Sequence, residues 1–149
     1  MSIWSKLFKA DPTEQKAKTQ KRRIGDRGED IACKHLSALG YEIIARNVQI
    51  SHKEIDIVAE NDEFTVIAEV KTLSTTREHA ETVGNRASDK IDRQKTENLL
   101  YAAKIWCNRN YTGRTPRIDV IEVYLGDDPP AVVHIENAIN ERTLYRKRR

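Results

Sequence analysis

Two short stretches hold the residues best suited to chemistry: Glu54-Ile55-Asp56 and, after a polar turn, Glu69-Val70-Lys71. In extended chain, residues two apart share a face. Glu54, Asp56 and Val58 therefore point one way, and Ile67, Glu69 and Lys71 share a face on the next strand. A two-residue turn at Asn61 and Asp62 makes Asp56 and Glu69 diagonal neighbours. A turn at Asp62 and Glu63 sets them directly opposite, at the roughly 4.5 to 5.5 Å Cβ separation of cross-strand pairs. Either register gathers both acids on one face, whereas a three-residue turn or a bulge would send them to opposite faces.

Two carboxylates side by side repel unless one is protonated or a cation sits between them, and their hard oxygens match Mg²⁺ or Mn²⁺. Lys71 could orient or activate a water, or stabilise charge on a phosphate. In outline this is phosphodiester hydrolysis. The competing reading is a solvated sheet face with a Lys–Glu cross-strand pair. Against it, Val66, Ile67, Ala68 and Val70 make the second strand nearly continuously apolar, as in a central strand buried on both faces, where unpaired charges are costly. Glu29 adds a third acid: Ala32, Cys33 and Leu36 follow it by three, four and seven residues, which puts it on the inward stripe of a helix. Alternatively it is an edge residue that supports the helix start.

These residues need a scaffold, and the sequence outlines one. Ile31, Ala32, Leu36 and Leu39 recur at helical spacing between Ile24 and Leu39, with Gly40 as a stop. Tyr41 to Val48, Glu54 to Glu60 and Phe64 to Lys71 read as three strands. Thr72 to Arg86 has little apolar pattern and reads as a mobile loop or lid. A second helix spans about Asp89 to Trp106, capped by Ser88 or Asp89, with Ile91, Leu99, Ala102 and Ile105 or Trp106 inward. Arg117 to Tyr124 and Ala131 to Ile135 are two further strands joined by a turn at Gly126 to Pro130. Helix, three strands, helix and two strands describe an α+β (α/β) domain with a mixed central sheet flanked by helices.

The chain has 149 residues, which suits one domain. We divide it into a flexible basic arm (1–22, with a short amphipathic turn around Ile3 to Phe8), the domain itself (23–139) and a basic C-terminal tail (140–149). The net charge is only +3, but cations cluster at both ends, as Lys16, Lys18, Lys21, Arg22 and Arg23 and again from Arg146 to Arg149. Such runs gather phosphates or are simply solvated. No apolar run reaches the roughly 18 residues of a membrane span. The start lacks a secretory pattern, and Cys33 and Cys107 are too few for a disulfide scaffold, which together point to the cytoplasm. His35, His52, His79 and His134 show no metal-ligand spacing and read as structural or surface residues.

The chain resembles the YraN family of bacterial endonuclease-like proteins, within the PD-(D/E)xK nuclease superfamily and similar to archaeal Holliday-junction resolvases. The resemblance covers about residues 23 to 139. It rests on Gly25-Asp26-Arg27-Gly28-Glu29 followed by Ala32, on Glu54-Ile55-Asp56, on Glu69-Val70-Lys71 and on Arg117-Ile118-Asp119-Val120. It implies a restriction-endonuclease-like sheet in which Asp56 and Glu69 are metal ligands, Lys71 is the catalytic lysine and Glu29 completes the site. Lys53 stands where a glycine normally precedes Glu54, and Thr72 where a basic residue usually follows Lys71.

Lys90, at the expected start of the second helix, matches a lysine position of the family, and Arg93 and Lys95 follow it. Cations at a helix N-terminus suit DNA phosphates, although they also fit a solvated helix side; Arg117 and Asp119 fit a structural ion pair. The implied function is a Mg²⁺- or Mn²⁺-dependent DNA endonuclease, with branched DNA suggested by resemblance alone. The alternative is an accessory nucleic-acid-binding protein that keeps the fold with little or no cutting. Symmetric cutting of two strands would call for a homodimer.

Overall fold

The computed structural model describes residues 11–146. In chain order its elements are α1 (Pro12–Ala38), β1 (Glu42–Ile50), β2 (Lys53–Glu60), β3 (Phe64–Leu73), α2 (Arg77–Thr82), a 3-10 turn (Ala87–Lys90), α3 (Arg93–Arg109), β4 (Thr115–Tyr124), β5 (Ala131–Ile139) and α4 (Glu141–Arg146). The five strands form one sheet in sequence order. The β3–β4 pair is parallel and the other three pairs are antiparallel. The parallel pair arises because α2, the 3-10 turn and α3 carry the chain back between β3 and β4, as a crossover must. The mixed sheet with flanking helices is the α+β arrangement expected from the element order.

Each face of the sheet has its own apolar layer. Ala32 and Leu36 of α1 pack with Ile57, Val66, Ala68 and Ile121 on one face. Leu99 and Ala102 of α3 pack with Val58, Ile67, Ile118 and Val120 on the other. Successive residues of β3 therefore go to opposite layers, and Val66, Ile67 and Ala68 are all fully buried. This is the central strand that its apolar run implied.

α1 begins where Asp11 Oδ1 accepts the Thr13 N–H at 2.7 Å and Pro12 takes the first helical position. The expectation of an irregular arm up to residue 22 is thus corrected from Pro12 onward. Nucleation is the costly step of helix formation. Residues packed beyond Ile24 supply a nucleus, and the Lys, Arg, Gln and Ala residues before it are good helix formers that extend it. The turn expected around Ile3 to Phe8 lies outside the described residues. At the other end, the first part of the basic tail is α4.

The second helix also starts later than expected. Ile91 is extended and 9% exposed, so the chain leaves its 3-10 turn to bury that side chain. Asp92, not Ser88 or Asp89, then caps α3 by accepting the Lys95 N–H at 2.8 Å. Lys90 consequently belongs to the 3-10 turn and not to a helix start. The stretch from Thr72 to Arg86, expected as a loop, instead extends β3 to Leu73 and forms α2, capped by Thr76 and tied to Asp127 through the Arg77 N–H at 2.8 Å. Among the described residues, no helix is long and apolar enough to cross a membrane.

Candidate active site

The β2–β3 hairpin decides whether the two acids meet. Asn61 Oδ1 accepts from the Glu63 and Phe64 N–H groups at 2.9 and 2.7 Å, which builds an even turn around Asp62 and Glu63. The ladder then pairs Glu60 with Thr65 and Ile57 with Ala68. Counting one residue further sets Asp56 level with Glu69, the second of the two registers open to the sequence. There a side chain replaces the ladder bond: the Val70 N–H donates to Asp56 Oδ2 at 2.9 Å.

The strand departs from strict alternation at this point. Ile55 and Val58 pack in the α3 layer, while Ile57 and Ala59 pack in the α1 layer. Beside it on β1, Asn47 has φ +50, a left-handed conformation that asparagine tolerates better than most residues. The step places Asp56 where the two layers meet at the strand ends, so it senses acids from both sides. Glu69 and Lys71 arrive from the α3 face and Glu29 from α1. A cleft of about 350 Å³ gathers Glu29, Glu54, Asp56, Glu69, Lys71, Lys95 and Thr72 with Lys21 and Gly25 of α1.

The close approach of α1 depends on Gly28. A Cβ at Gly28 would lie 1.8 Å from Thr72 Oγ1, so only glycine lets the helix reach β3 and bring the next residue, Glu29, to the cleft. Thr72, which stands where a basic residue was expected, is thus a residue that α1 rests on. Glu29 is partly engaged by structure, with Oε2 3.6 Å from Arg46 Nη2. With its amide nitrogen turned inward, Asn47 donates to Glu29 Oε2 at 3.1 Å and to Glu54 Oε1 at 3.0 Å. Burial nevertheless raises the Glu29 carboxyl above its usual range, with Arg46 opposing it.

The charge balance at the centre is uneven. Glu69 is 2% exposed, and its Oε1 lies 3.2 Å from both Lys71 Nζ and Lys95 Nζ. Its Oε2 is buried with no hydrogen-bond partner. Asp56 is pushed up to about 8, first by burial and then by the neighbouring Glu69 charge. An orphaned carboxylate oxygen beside an acid that cannot readily ionise is the donor set a hard divalent cation would complete. Among the described residues, no group of three or more His, Cys, Asp or Glu side chains is placed to enclose a metal. Two carboxylates still fit Mg²⁺, which commonly binds through one or two and keeps water or phosphate oxygens for the rest.

Of the three cations expected to meet DNA, Lys95 enters the cleft. Arg93 is instead held by Glu97 at 3.0 Å on the exposed side of α3, and exposed Lys90 does not line the cleft. A second polar cluster was only partly visible in the sequence. Asp119, fully buried, accepts from Arg117 at 2.9 and 2.8 Å and from the Asn137 N–H at 2.9 Å. His134 Nε2 lies 2.7 Å from it, and His134 Nδ1 lies 3.0 Å from His35 Nε2. Burial alone would raise Asp119, but the bonds from His134, Arg117 and Asn137 outweigh it and hold the carboxyl low. The Arg117–Asp119 pair was legible as i, i+2 neighbours on one strand face. Nothing local links residues 35 and 134.

The model of the uncharacterised protein family UPF0102 matches residues 28–123. A UPF0102 protein of Carboxydothermus hydrogenoformans is 31% identical over 121 residues, covering 80% of this chain and 98% of the relative. One of Frankia casuarinae is 36% identical over 119 residues, covering 79% and 97%. One of Clavibacter michiganensis is 35% identical over 106 residues, covering 70% and 85%. The matched span runs from Gly28 into β4 and so includes Glu29, Asp56, Glu69, Lys71 and Lys95. The chain belongs to family UPF0102, the YraN family.

Proposed function

We propose that the protein is a divalent-metal-dependent DNA endonuclease acting at the Asp56–Glu69 cleft. The observation that carries this reading is the pairing of a strongly raised Asp56 with a buried, partnerless Glu69 oxygen beside two lysines. A fold seldom retains such a pair for stability, because each buried acid costs free energy that a well-packed apolar residue would not.

Asp56 and Glu69 would hold Mg²⁺ or Mn²⁺, which when bound supplies positive charge at the phosphate and a more acidic water. Lys71 sits on the rim of the cleft, 27% exposed, and is positioned to orient a nucleophilic water or to neutralise charge that develops on the phosphate. Lys95 faces it from α3 and keeps Glu69 oriented through the shared oxygen. Glu29, steadied by Arg46 and Asn47, adds negative potential on the α1 side.

A second reading has its own support. Two lysines already compensate Glu69 without any metal, which is what an accessory DNA-binding protein with a silent site would show. Cleavage of linear and branched DNA with Mg²⁺, Mn²⁺ and a chelator, against Asp56→Asn, separates the two. Metal-dependent cutting lost in the variant supports the nuclease. DNA binding without cutting under every metal would leave the accessory role.

A further inference from the structure

The first half of α1 contributes no buried residue. Every residue from Asp11 to Arg23 is exposed, yet the helix continues unbroken into the part that carries Glu29. Its cations are ordered about the axis. At 3.6 residues per turn, Lys18, Arg22, Gly25 and Glu29 follow one another at spacings of four, three and four, which is one helix face. Lys21, beside that face, lines the cleft itself. Lys16 and Arg23, seven residues apart, lie on the opposite side.

The state of these side chains differs from that of several cations elsewhere on the surface. Arg77, Arg93 and Lys104 are engaged by Glu81, Glu97 and Glu141. Among the described residues, Lys18, Lys21 and Arg22 have no carboxylate within 4.0 Å. Their charge is therefore free for an external anion. From Lys18 to Glu29 is about 16 Å along the axis, enough to span roughly five phosphates of one strand at about 3.4 Å of axial rise each.

We propose that the exposed half of α1 is a rail for one DNA strand, with Lys18, Lys21 and Arg22 taking successive phosphates and leading the strand into the Asp56–Glu69 cleft. The proposal rests on the nuclease reading above and adds to it a direction of approach, along α1. Because the rail and Glu29 share one continuous helix, its register relative to the cleft is fixed by backbone hydrogen bonds and not by a flexible linker.

The test uses the full chain and a labelled DNA duplex, with Ca²⁺ replacing Mg²⁺ to prevent cutting, and follows binding as salt is raised. Lys18→Gln/Arg22→Gln and Lys16→Gln/Arg23→Gln remove equal charge from opposite faces, and glutamine preserves helix propensity. The cleft-side pair should bind about tenfold more weakly at low salt and flatten the log–log salt slope by about 2, since each phosphate contact contributes about 0.9. The far-side pair should leave the slope unchanged. The swap Lys18→Arg/Arg22→Lys should restore binding, which guards against a folding defect in the Gln pair. Equal losses from both faces, or none from the cleft-side pair, would overturn the rail while leaving the nuclease reading intact. A wild-type chain that neither bound nor cut DNA would overturn both.

Discussion

Lys95 Nζ of α3 stands 3.2 Å from Glu69 Oε1 of β3, and Lys71 Nζ reaches that same oxygen at 3.2 Å. One carboxylate oxygen thus serves two resident cations, and a divalent ion entering the cleft would compete with both. A unit charge at about 4 Å is worth on the order of 1 kcal/mol even in water. Lys95→Gln should therefore bind Mn²⁺ about fivefold more tightly by calorimetry. An unchanged or weaker affinity would show that Lys95 does not oppose the metal.

On the proposed mechanism the acids and Lys71 should have separable roles. Asp56→Ala and Glu69→Ala should lose Mn²⁺ binding, because they remove the hard oxygens. Lys71→Ala should keep metal binding yet cut DNA roughly 10² to 10⁴ times more slowly, the usual range for a positioned proton-transfer or charge-stabilising group. Undiminished cleavage in any one of these variants would remove that residue from the mechanism.

The contribution of Asp56 to stability should fall as pH rises. Burial and Glu69 lift Asp56 from 3.8 to about 8, so between those values the folded chain keeps a proton that the unfolded chain has released. This contribution is fully present at the acidic end of the window and is lost as pH passes the folded value. Asp56→Asn cannot ionise. Its melting temperature should match wild type near pH 4 and exceed it by several degrees above pH 8 in metal-free buffer. Parallel curves for the two proteins would contradict the raised acid.

Gly28→Ala should destabilise the fold by about 1 to 3 kcal/mol, the usual cost of overpacking, because its Cβ meets Thr72 Oγ1 at 1.8 Å. Adding Thr72→Ala removes the nearest atom and should recover part of the loss. Denaturant titration of the two single variants and the double variant would show whether the changes couple, as contacting residues do.

Asp119→Ala should cost about 3 to 5 kcal/mol, since it strands the Arg117 charge, which is 9% exposed, and the inner His134 nitrogen together. Asp119→Asn keeps an acceptor and should cost less. Equal stability of both variants with wild type in urea would mean that the network contributes nothing.

The core of the site was legible because its logic is local. Strand period two and an even turn around Asp62 and Glu63 suffice to put Asp56 and Glu69 side by side, and the apolar run around Glu69 already marked a buried strand. Helix nucleation and capping were less legible. Ser88 and Asp89 were the caps expected for the second helix, but Asp92 is as good a cap by residue type, and the burial of Ile91 chose it for α3.

By itself the sequence determined the α+β class, the two acids on neighbouring strands and the lysine beyond them, since each depends on residues a few places apart along the chain. Tertiary structure alone decided that Lys95 and not Arg93 enters the cleft. It also decided that Glu29 is shared with Arg46 and Asn47, and that His35 meets His134 across 99 residues. Those outcomes depend on how far each helix turns about its own axis as it docks on the sheet. Packing sets that angle through contacts such as Gly28 on Thr72, between residues far apart in the chain.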